Sequence, residues 1–245
     1  SLDLCSYILH KRLSAFGQVF GARVGVECMR LLERDEIISL YNRFGAKQDT
    51  QGWYEDEPLA EMKRHMAFDT ADSVLELGMG TGRLAHEVVT ELTPRGTRYI
   101  GLDLSPVMVN LGRNRLRQCD QAFAVVGDVR APLPLRDNSV SHVYAAYVLD
   151  IFSEDEIRAV YDEVRRVLKP GGLFGAVSLT GGFSPLSRLT SSLWSAVHRL
   201  RPQAVGGCRP LELLACVPDE FELAHACKKV AGGIPSEVIV SRKPA

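Results

Sequence analysis

The sequence of 245 residues lacks the features of several specialised protein classes. Lysine plus arginine (29) nearly equals aspartate plus glutamate (30), so no excess of one sign favours nucleic acid or an anionic membrane as a partner. No apolar run reaches the roughly 18 residues of a membrane-spanning helix. The six cysteines form no CxxC pair and have no Cys/His ligand spacing, which predicts reduced thiols, no metal site and a cytoplasmic protein. The chain begins with Ser1 rather than Met, which leaves a removed N-terminal targeting segment open.

The composition that is present is typical of a globular α/β protein. Apolar residues make up 46% of the chain and charged residues 24%, and the length suits one large domain or a core with an added lobe. We divide the chain into an N-terminal helical segment with a candidate active-site lid (residues 1–71) and a core (residues 72–245). A helical insertion is predicted within the core at about residues 180–218.

Strand and helix signals alternate from about residue 72. Ser105-Pro106 is typical of a helix start, and Ser153 with Glu156 forms a capping box at another. This alternation of strands and helices predicts a parallel sheet with helices on both faces. Two apolar runs at the C-terminal end of the chain predict a terminal hairpin. The predicted strands cover residues 73–77, 99–102, 123–126, 140–147 and 173–179, followed by 221–227 and 235–241 in the hairpin.

Three glycines occupy alternate positions directly after the first predicted strand, in the stretch VLELGMGTGRLA (residues 74–85). Glycine loses more backbone entropy on folding than any other residue. Three glycines this close together, Gly78, Gly80 and Gly82, therefore indicate a specific structural or functional requirement. One explanation is a tight strand-to-helix turn without a ligand. The other is a ligand that approaches the backbone at the carboxyl end of a parallel sheet, where such crevices bind small molecules.

Carboxylates end three successive predicted strands. Asp103 can accept hydrogen bonds from both hydroxyls of a ribose, and Asp128 can reach an adenine amino group. Glu76 lies two residues before Gly78, where its charge would repel a pyrophosphate and suit a cationic group. Each carboxylate alone fits a solvated strand end, but together they favour a nucleoside with a positively charged tail.

The stretches VLELGMGTGRLA, YIGLDLSP, VVGDVRAPLPLRDNSVSHVYAAYVLD and VLKPGGLFGAV resemble, in order and separation, the motifs of class I S-adenosylmethionine-dependent methyltransferases, and among them the small-molecule methyltransferases. The resemblance covers residues 72–180 closely. It implies a doubly wound, mostly parallel seven-stranded α/β sheet with an antiparallel last strand, a Rossmann-like methyltransferase fold, here with an N-terminal helical addition. The implied cofactor is S-adenosyl-L-methionine.

The same resemblance assigns a role to thirteen residues. Glu76, Gly78, Gly80 and Gly82 would frame the methionine part of the cofactor, with backbone contacts from Met79 and Thr81; Asp103 would hold the ribose; Leu104 and Met108 would flank the adenine, and Asp128 and Val129 would meet its edge; Ala146 and Tyr147 would line the floor beside the sulfonium.

The predicted activity is methyl transfer by in-line displacement to an unidentified small-molecule acceptor. A general base is needed only if the acceptor is a hydroxyl or a carbon acid, and Tyr41 and Asp150 are the candidates. The aromatic segment 40–62, with Tyr41, Phe44, Trp53 and Tyr54, is either a lid or a cluster that packs the N-terminal helix on the sheet.

Two alternative functions share part of these signals. A NAD(P)-dependent oxidoreductase would use the glycines and Asp103 but leaves Glu76 unexplained. A non-catalytic cofactor-binding partner subunit would keep the pocket without the activity.

In the insertion, Leu186, Leu189 and Leu193 predict an apolar cover over the crevice, which favours a hydrophobic acceptor. The sequence does not predict an oligomeric state.

Overall fold

The structure, a computed structural model, describes residues 30–245. The helices predicted before residue 30, with Cys5 and Cys28, lie outside the described residues. Short 3-10 segments at Gly45–Gln51, Leu149–Ile151 and Pro202–Val205 connect the main elements. The helices are α1 (Arg34–Phe44), α2 (Gly52–His65), α3 (Arg83–Glu87), α4 (Pro106–Arg115), α5 (Glu154–Val167), α6 (Pro185–Leu200) and α7 (Leu213–Cys216); the strands are β1 (Ser73–Leu77), β2 (Arg98–Asp103), β3 (Ala122–Val126), β4 (Val140–Ala146), β5 (Leu168–Leu179), β6 (Glu222–Ala231) and β7 (Ile234–Arg242).

The seven strands form one sheet in the order β3-β2-β1-β4-β5-β7-β6. Strands β1 to β5 pair in parallel, whereas β7 runs antiparallel to both β5 and β6. The predicted mostly parallel sheet with a closing hairpin is therefore confirmed. Because the strand order reverses between β1 and β4, their carboxyl ends open a crevice at this switch point.

The sheet is buried on both faces, as a parallel sheet requires. Every residue of β1 is buried, and its side chains alternate between two apolar layers. Leu75 belongs to the layer that includes Ile157 and Val160 of α5, while Val74 belongs to the layer that includes Met62 of α2. Helices on both faces thus fix the position of the β1 end, where the glycine turn begins.

Two element boundaries differ from the prediction for local backbone reasons. The helix expected from residue 81 begins at Arg83, because Gly82 adopts a left-handed conformation and forms the N-cap. It continues as a π-helix over Val88–Leu92. The fifth strand begins at Leu168 rather than Leu173, because Leu168 already pairs with Val140 across a β-bulge.

The leucines of α6 do not cover the crevice, so that expectation is wrong. Leu186, Leu189 and Leu193 are 66%, 66% and 64% exposed. The buried face of α6 instead carries small polar side chains that hydrogen-bond to backbone carbonyls. Thr190 donates to the Gly233 carbonyl at 2.7 Å, and this polar anchoring directs the leucines outward.

The described residues were compared with two expectations, on membrane-spanning helices and on cysteines. No helix of residues 30–245 is both long enough and apolar enough to span a membrane. The described cysteines, Cys119, Cys208, Cys216 and Cys227, are free thiols.

Candidate functional site

The glycine turn after β1 depends on glycine for both conformation and space. Gly78, Gly80 and Gly82 have φ values of +71°, +52° and +75°, which side chains with a Cβ rarely adopt. A Cβ at Gly78 would also lie 2.7 Å from Cγ2 of Val148. The turn is held by the Met79 N–H, which donates to the Leu102 carbonyl at 2.8 Å. The positive φ values and the close neighbouring side chains therefore both require glycine in this turn.

Two clefts flank this turn at the carboxyl ends of the strands. The apolar cleft encloses about 540 Å³ of space that is partly open to solvent. The polar cleft has a volume of about 440 Å³. Both share Gln48, Gly78, Ala146 and Tyr147; the apolar cleft adds Ile37, Tyr41, Asp103, Leu104, Gly127, Asp128, Val129, Val148, Ile151 and Phe152, and the polar cleft adds Asp49, Glu55, Leu59, Glu76, Met79, Thr81, Arg83 and Leu84.

Asp103 connects β2 to the glycine turn and lines the apolar cleft. Its Oδ2 accepts a hydrogen bond from the Gly80 N–H at 2.8 Å, and its Oδ1 accepts one from the Ser105 N–H at 2.8 Å. Burial raises the pKa of Asp103 against these two bonds. An ionised carboxylate has about four acceptor sites, so both oxygens keep capacity for a ligand hydroxyl.

Glu76 is a buried carboxyl group at the wall of the polar cleft. Its Oε2 accepts hydrogen bonds from the hydroxyls of Tyr99 and Tyr144, the latter at 2.7 Å. Burial raises the pKa of Glu76 to about 8, although the two tyrosines oppose that shift. The group is therefore largely protonated at neutral pH, and a cation placed beside it would favour the ionised form.

The polar cleft contains further charged groups that the sequence analysis did not single out. Arg83 forms an ion pair with Asp56 at 2.6 Å and with Glu55 at 3.3 Å. Asp49 pairs with Arg115 at 2.6 Å and accepts a hydrogen bond from Thr81. Burial raises the pKa of Glu55 to about 7. The place of Arg83 directly after the glycine turn was a usable signal for this cleft.

Gln48 occupies the junction of the two clefts. Its buried Oε1 has no hydrogen-bond partner among residues 30–245, and a Cβ at Gly80 would lie 2.6 Å from it. Buried amide oxygens are nearly always satisfied, so Gln48 Oε1 is available to accept a hydrogen bond at this junction. The 3-10 segment Gly45–Gln51 thus brings the residue into direct contact with the glycine turn.

Tyr147 is strained at the same junction. It follows the last residue of β4 with φ +53°, an unusual value for a bulky side chain. Its hydroxyl lies 2.9 Å from the hydroxyl of Ser236, and its ring meets the edge of Tyr54 at 5.8 Å between centroids. Strain of this kind is maintained where surrounding contacts fix it, often at functional sites.

The residues proposed to surround the adenine are divided between the cleft and the core. Leu104, Asp128 and Val129 line the apolar cleft, while Met108 is fully buried and lines neither cleft. The Asp128 carboxylate is paired with Arg130 at 2.8 Å and with Arg34 at 3.3 Å. Burial opposes ionisation of Asp128, but these cations lower its pKa, so it enters the cleft as an anion.

The two candidate catalytic residues occupy different places. Tyr41 lines the apolar cleft and donates a hydrogen bond to the Gly206 carbonyl at 3.1 Å. Burial raises the pKa of Tyr41, which keeps its hydroxyl neutral. Asp150 is fully buried, lines neither cleft and accepts a hydrogen bond from the Leu179 N–H at 3.3 Å. Burial raises the pKa of Asp150 to about 7.

The comparisons with known proteins agree with this geometry. Residues 74–172 match the family described as a methyltransferase domain. The chain is 39% identical over 149 residues to an uncharacterized methyltransferase of Mycobacterium tuberculosis, an alignment that covers 61% of this chain and 55% of that protein. The chain thus spans little more than half the length of this curated relative.

Solved structures show the same fold at low sequence identity. A methyltransferase in complex with the Trm112 activator of Haloferax volcanii has a TM-score of 0.68 and 18% identity, covering 85% of this chain and 98% of that chain. A geranyl diphosphate methyltransferase in complex with GPP and sinefungin has a TM-score of 0.63 and 13% identity, covering 86% and 98%.

Proposed function

We propose that this chain, whose residues 74–172 match a methyltransferase domain, is a class I S-adenosylmethionine-dependent methyltransferase that binds S-adenosyl-L-methionine across both clefts and methylates a small-molecule acceptor. One observation carries the proposal. The apolar cleft with Asp103 and the polar cleft with Glu76 meet at Gly78, so a single ligand with an apolar nucleoside end and a charged end fits both.

The apolar cleft suits the adenosine half of this cofactor. Asp103 would accept hydrogen bonds from the ribose hydroxyls, since both of its oxygens are fixed by backbone N–H groups. Leu104 and Val129 offer apolar surfaces to a purine ring, and Asp128 offers an acceptor to its amino group. The close glycine backbone allows the sugar to lie against the main chain.

The polar cleft suits the amino-acid half. Glu76 and Glu55 would face the ammonium group, and Arg83 would face the carboxylate. The orphaned Gln48 Oε1 would accept a donor from the ligand at the junction. Ala146 and Tyr147 border both clefts, so they would lie beside the sulfonium between the two halves.

The protein contributes alignment and exclusion of water rather than covalent chemistry. The bound cofactor supplies an activated methyl group. The chain has to hold the acceptor in line at roughly 3–3.5 Å and keep water out of the junction. The strained Tyr147 backbone and the 3-10 segment Gly45–Gln51 are positioned to do so. Of the two candidate catalytic residues, Tyr41 alone lines the cleft, where its neutral hydroxyl would orient the acceptor rather than deprotonate it.

The acceptor is proposed to be a small and largely apolar molecule. The cleft wall beside Tyr41 is built from Ile37, Ile151 and Phe152. Among the solved structures of the same fold, one acts on geranyl diphosphate, an apolar chain with a charged end.

The free thiols of the described residues support a reducing compartment such as the cytoplasm. A nicotinamide cofactor fits less well, because it would place an anionic pyrophosphate rather than a cation beside Glu55 and Glu76, and ionisation of these two carboxyl groups would not favour its binding.

The test is acceptor capture with a labelled cofactor. The chain is incubated with a small-molecule extract and S-adenosyl-L-methionine that carries a deuterated methyl group, and mass spectrometry detects products with the mass gain of the labelled methyl. The proposal predicts labelled products with the native chain and with Asp120→Ala, an exposed control, but not with Asp103→Ala. Cofactor binding without any labelled product would favour the non-catalytic partner subunit.

A further inference from the structure

Helix α6 carries a face of leucines, here called the leucine face, that the rest of residues 30–245 leaves exposed. Its members Leu186, Leu189, Leu193 and Leu200 are 66%, 66%, 64% and 86% exposed. A helix turns by about 100° per residue, so these four side chains lie within an arc of roughly 60°. Scattered exposed leucines are common on soluble proteins, but a contiguous apolar face indicates an interaction surface.

The leucine face is held outward by contacts on the opposite side of α6. The Trp194 Nε1–H donates to the Cys208 carbonyl at 2.9 Å, and His198 Nε2 lies 3.1 Å from the Gly207 carbonyl. Together with the bond from Thr190, these contacts fix the rotation of the helix about its axis. The leucine face is therefore a permanent feature of the surface.

The segment that contains the leucine face is positively charged. Residues 180–211 include four arginines and no aspartate or glutamate. Arg188 within α6 and Arg201 directly after it are both exposed. The charge balance of the whole chain, which predicted no anionic membrane as a partner, conceals this local excess of cations.

Carboxylates of neighbouring elements do not cancel the charge of these two arginines. Glu36 lies 3.5 Å from Gln203, which follows α6, but forms an ion pair with Arg30 at 2.6 Å. Glu212, which follows the segment, forms an ion pair with Lys228 at 2.6 Å. Each of these carboxylates already has a cation of its own, so neither neutralises Arg188 or Arg201.

A second copy of this chain is a poor match for the leucine face. Two α6 helices packed face to face would place their arginines along one shared interface. Residues 180–211 offer no carboxylate to pair with them, and like charges across an interface disfavour association.

A bilayer that contains anionic lipids matches both properties of α6. Leucine side chains can enter the boundary of the acyl chains, while arginine side chains extend their guanidinium groups to the phosphates. The 16 residues of α6 are about 24 Å long, shorter than the hydrocarbon core of about 30 Å. The helix therefore suits a position in the plane of the interface.

An exposed aromatic residue lies next to α6. Trp53 is 62% exposed and packs on Gly232, beside the Gly233 carbonyl that Thr190 of α6 binds. Tryptophan is enriched at the boundary between lipid and water. Its position is consistent with a lipid surface on this side of the molecule.

We propose that α6 docks in the plane of an anionic lipid bilayer, with the leucine face at the acyl boundary and Arg188 and Arg201 at the head groups. The inner side of α6 leads toward the apolar cleft, because the Gly206 carbonyl after the helix binds Tyr41 of the cleft wall. An acceptor that enters from this side would be lipid-soluble, which rests on the proposed function. The docking itself needs neither cofactor nor acceptor.

Vesicle flotation tests the docking with the native chain. The chain is mixed with vesicles of phosphatidylglycerol and phosphatidylcholine, and separately with vesicles of phosphatidylcholine alone. The proposal predicts binding to the anionic vesicles, and weaker binding to them at high salt. The variant Leu189→Ser/Leu193→Ser should partition at least about tenfold more weakly, because two leucine side chains no longer enter the apolar phase.

The matched control replaces exposed apolar residues on the edge strand β3. Phe123 and Val125 are 54% and 39% exposed, and Phe123→Ser/Val125→Ser should bind vesicles like the native chain. Arg188→Gln/Arg201→Gln should weaken binding by about fivefold per arginine, and Arg188→Lys/Arg201→Lys should restore it, since the head groups attract the charge.

Four results would overturn the proposal. They are no binding of the native chain to anionic vesicles, equal binding to neutral vesicles, an equal loss in the β3 control, and full binding by the leucine variant. A dimer that Leu189→Ser/Leu193→Ser dissociates, measured by light scattering, would identify a second copy as the occupant and also contradict it. The leucine variant should bind S-adenosylhomocysteine like the native chain, which separates failure of docking from failure of the proposed function.

Discussion

At the scale of single residues, the candidate site consists of acidic groups whose surroundings give them different ionisation states. Asp128 is paired with two arginines and stays ionised, while burial raises the pKa of Glu76 and of Glu55. Asp103 is fixed by two backbone N–H groups. Environments that separate the pKa values of nearby groups are typical of functional sites.

The first residue-scale prediction concerns Asp103. Substitution by alanine removes the proposed ribose acceptor and the hydrogen bonds from the Gly80 and Ser105 N–H groups. Hydrogen bonds to charged groups contribute about 1.5–3 kcal/mol each, so S-adenosylmethionine should bind at least about tenfold more weakly by calorimetry. Asp120→Ala should bind like the native chain. Full affinity in a folded Asp103→Ala variant would remove Asp103 from the site.

The second residue-scale prediction concerns the pH dependence of cofactor binding through Glu76. The free group has a pKa of about 8, and a cationic ligand beside it lowers the bound value. Binding then releases a proton between these two values, so affinity should rise with pH through the neutral range, by at most about tenfold per pH unit.

Calorimetry of the variant Glu76→Gln isolates that contribution. Glutamine cannot ionise, so the rise of affinity with pH should flatten, apart from the part due to Glu55, whose pKa is about 7. The variant Glu55→Gln provides the comparison. If Glu76→Gln retains the full pH dependence, the carboxyl of Glu76 does not face a cation.

At the scale of elements, the segment from α1 to α2 covers the glycine turn. Asn42 lies 2.7 Å from Ser105 at the N-cap of α4, Gln48 meets Gly80, and Asp49 pairs with Arg115 of α4. The candidate lid of the sequence analysis therefore spans both clefts. Its aromatic residues differ: Tyr41 lines a cleft, whereas Trp53 is 62% exposed and packs on Gly232.

The variants Tyr41→Phe and Trp53→Ala are predicted to separate those roles. Tyr41→Phe removes the hydrogen bond that holds Tyr41 to the Gly206 carbonyl, which is worth about 0.5–1.5 kcal/mol, so turnover of the acceptor should fall by up to about tenfold. Trp53→Ala should leave affinity unchanged. Unchanged affinity and turnover in both stable variants would reject a lid role for the aromatic segment.

A second element-scale prediction concerns the attachment of α2 to the edge strand β6. Glu61 is 6% exposed and pairs with Arg64 at 2.5 Å and with Lys229 of β6 at 3.1 Å. Burial raises the pKa of Glu61, but these cations outweigh burial and lower it to about 2. A depressed pKa stabilises the fold above the unfolded value of 4.5, and this contribution is lost as pH falls toward 2.

Urea unfolding checks this contribution. Glu61→Gln should lower the free energy of unfolding by about 2 kcal/mol at pH 7, and the difference from the native chain should shrink at pH 3. The exposed Glu57→Gln is the matched control on the same helix. A constant difference at both pH values would indicate a packing effect instead of a charge effect.

At the scale of the whole molecule, the elements of the fold that local sequence patterns encode could be predicted from the sequence. The five parallel strands and the closing hairpin follow from apolar runs between capped helices, and the glycine turn follows from its spacing. The outward face of α6 did not follow, because apolar periodicity gives a stripe without its direction. Buried serines and hydrogen bonds to distant carbonyls decide that direction.

The residues of the candidate site also divide into those that the sequence could place and those that it could not. Asp103 and Glu76 could be placed at strand ends from sequence, because parallel strands bring their carboxyl ends together. Gln48 and Glu55 could not, since they reach the clefts through a helical segment whose docking depends on tertiary contacts such as Asp49 with Arg115. Long-range side-chain pairing has no periodic signature along the chain.

The measurement that tests the account most directly is isothermal titration calorimetry of the native chain with S-adenosylhomocysteine and, separately, with NADH. The two clefts that meet at Gly78 predict saturable binding of S-adenosylhomocysteine at a single site, weakened by Asp103→Ala, and no heat of binding with NADH. Binding of NADH without binding of S-adenosylhomocysteine would contradict the proposed cofactor.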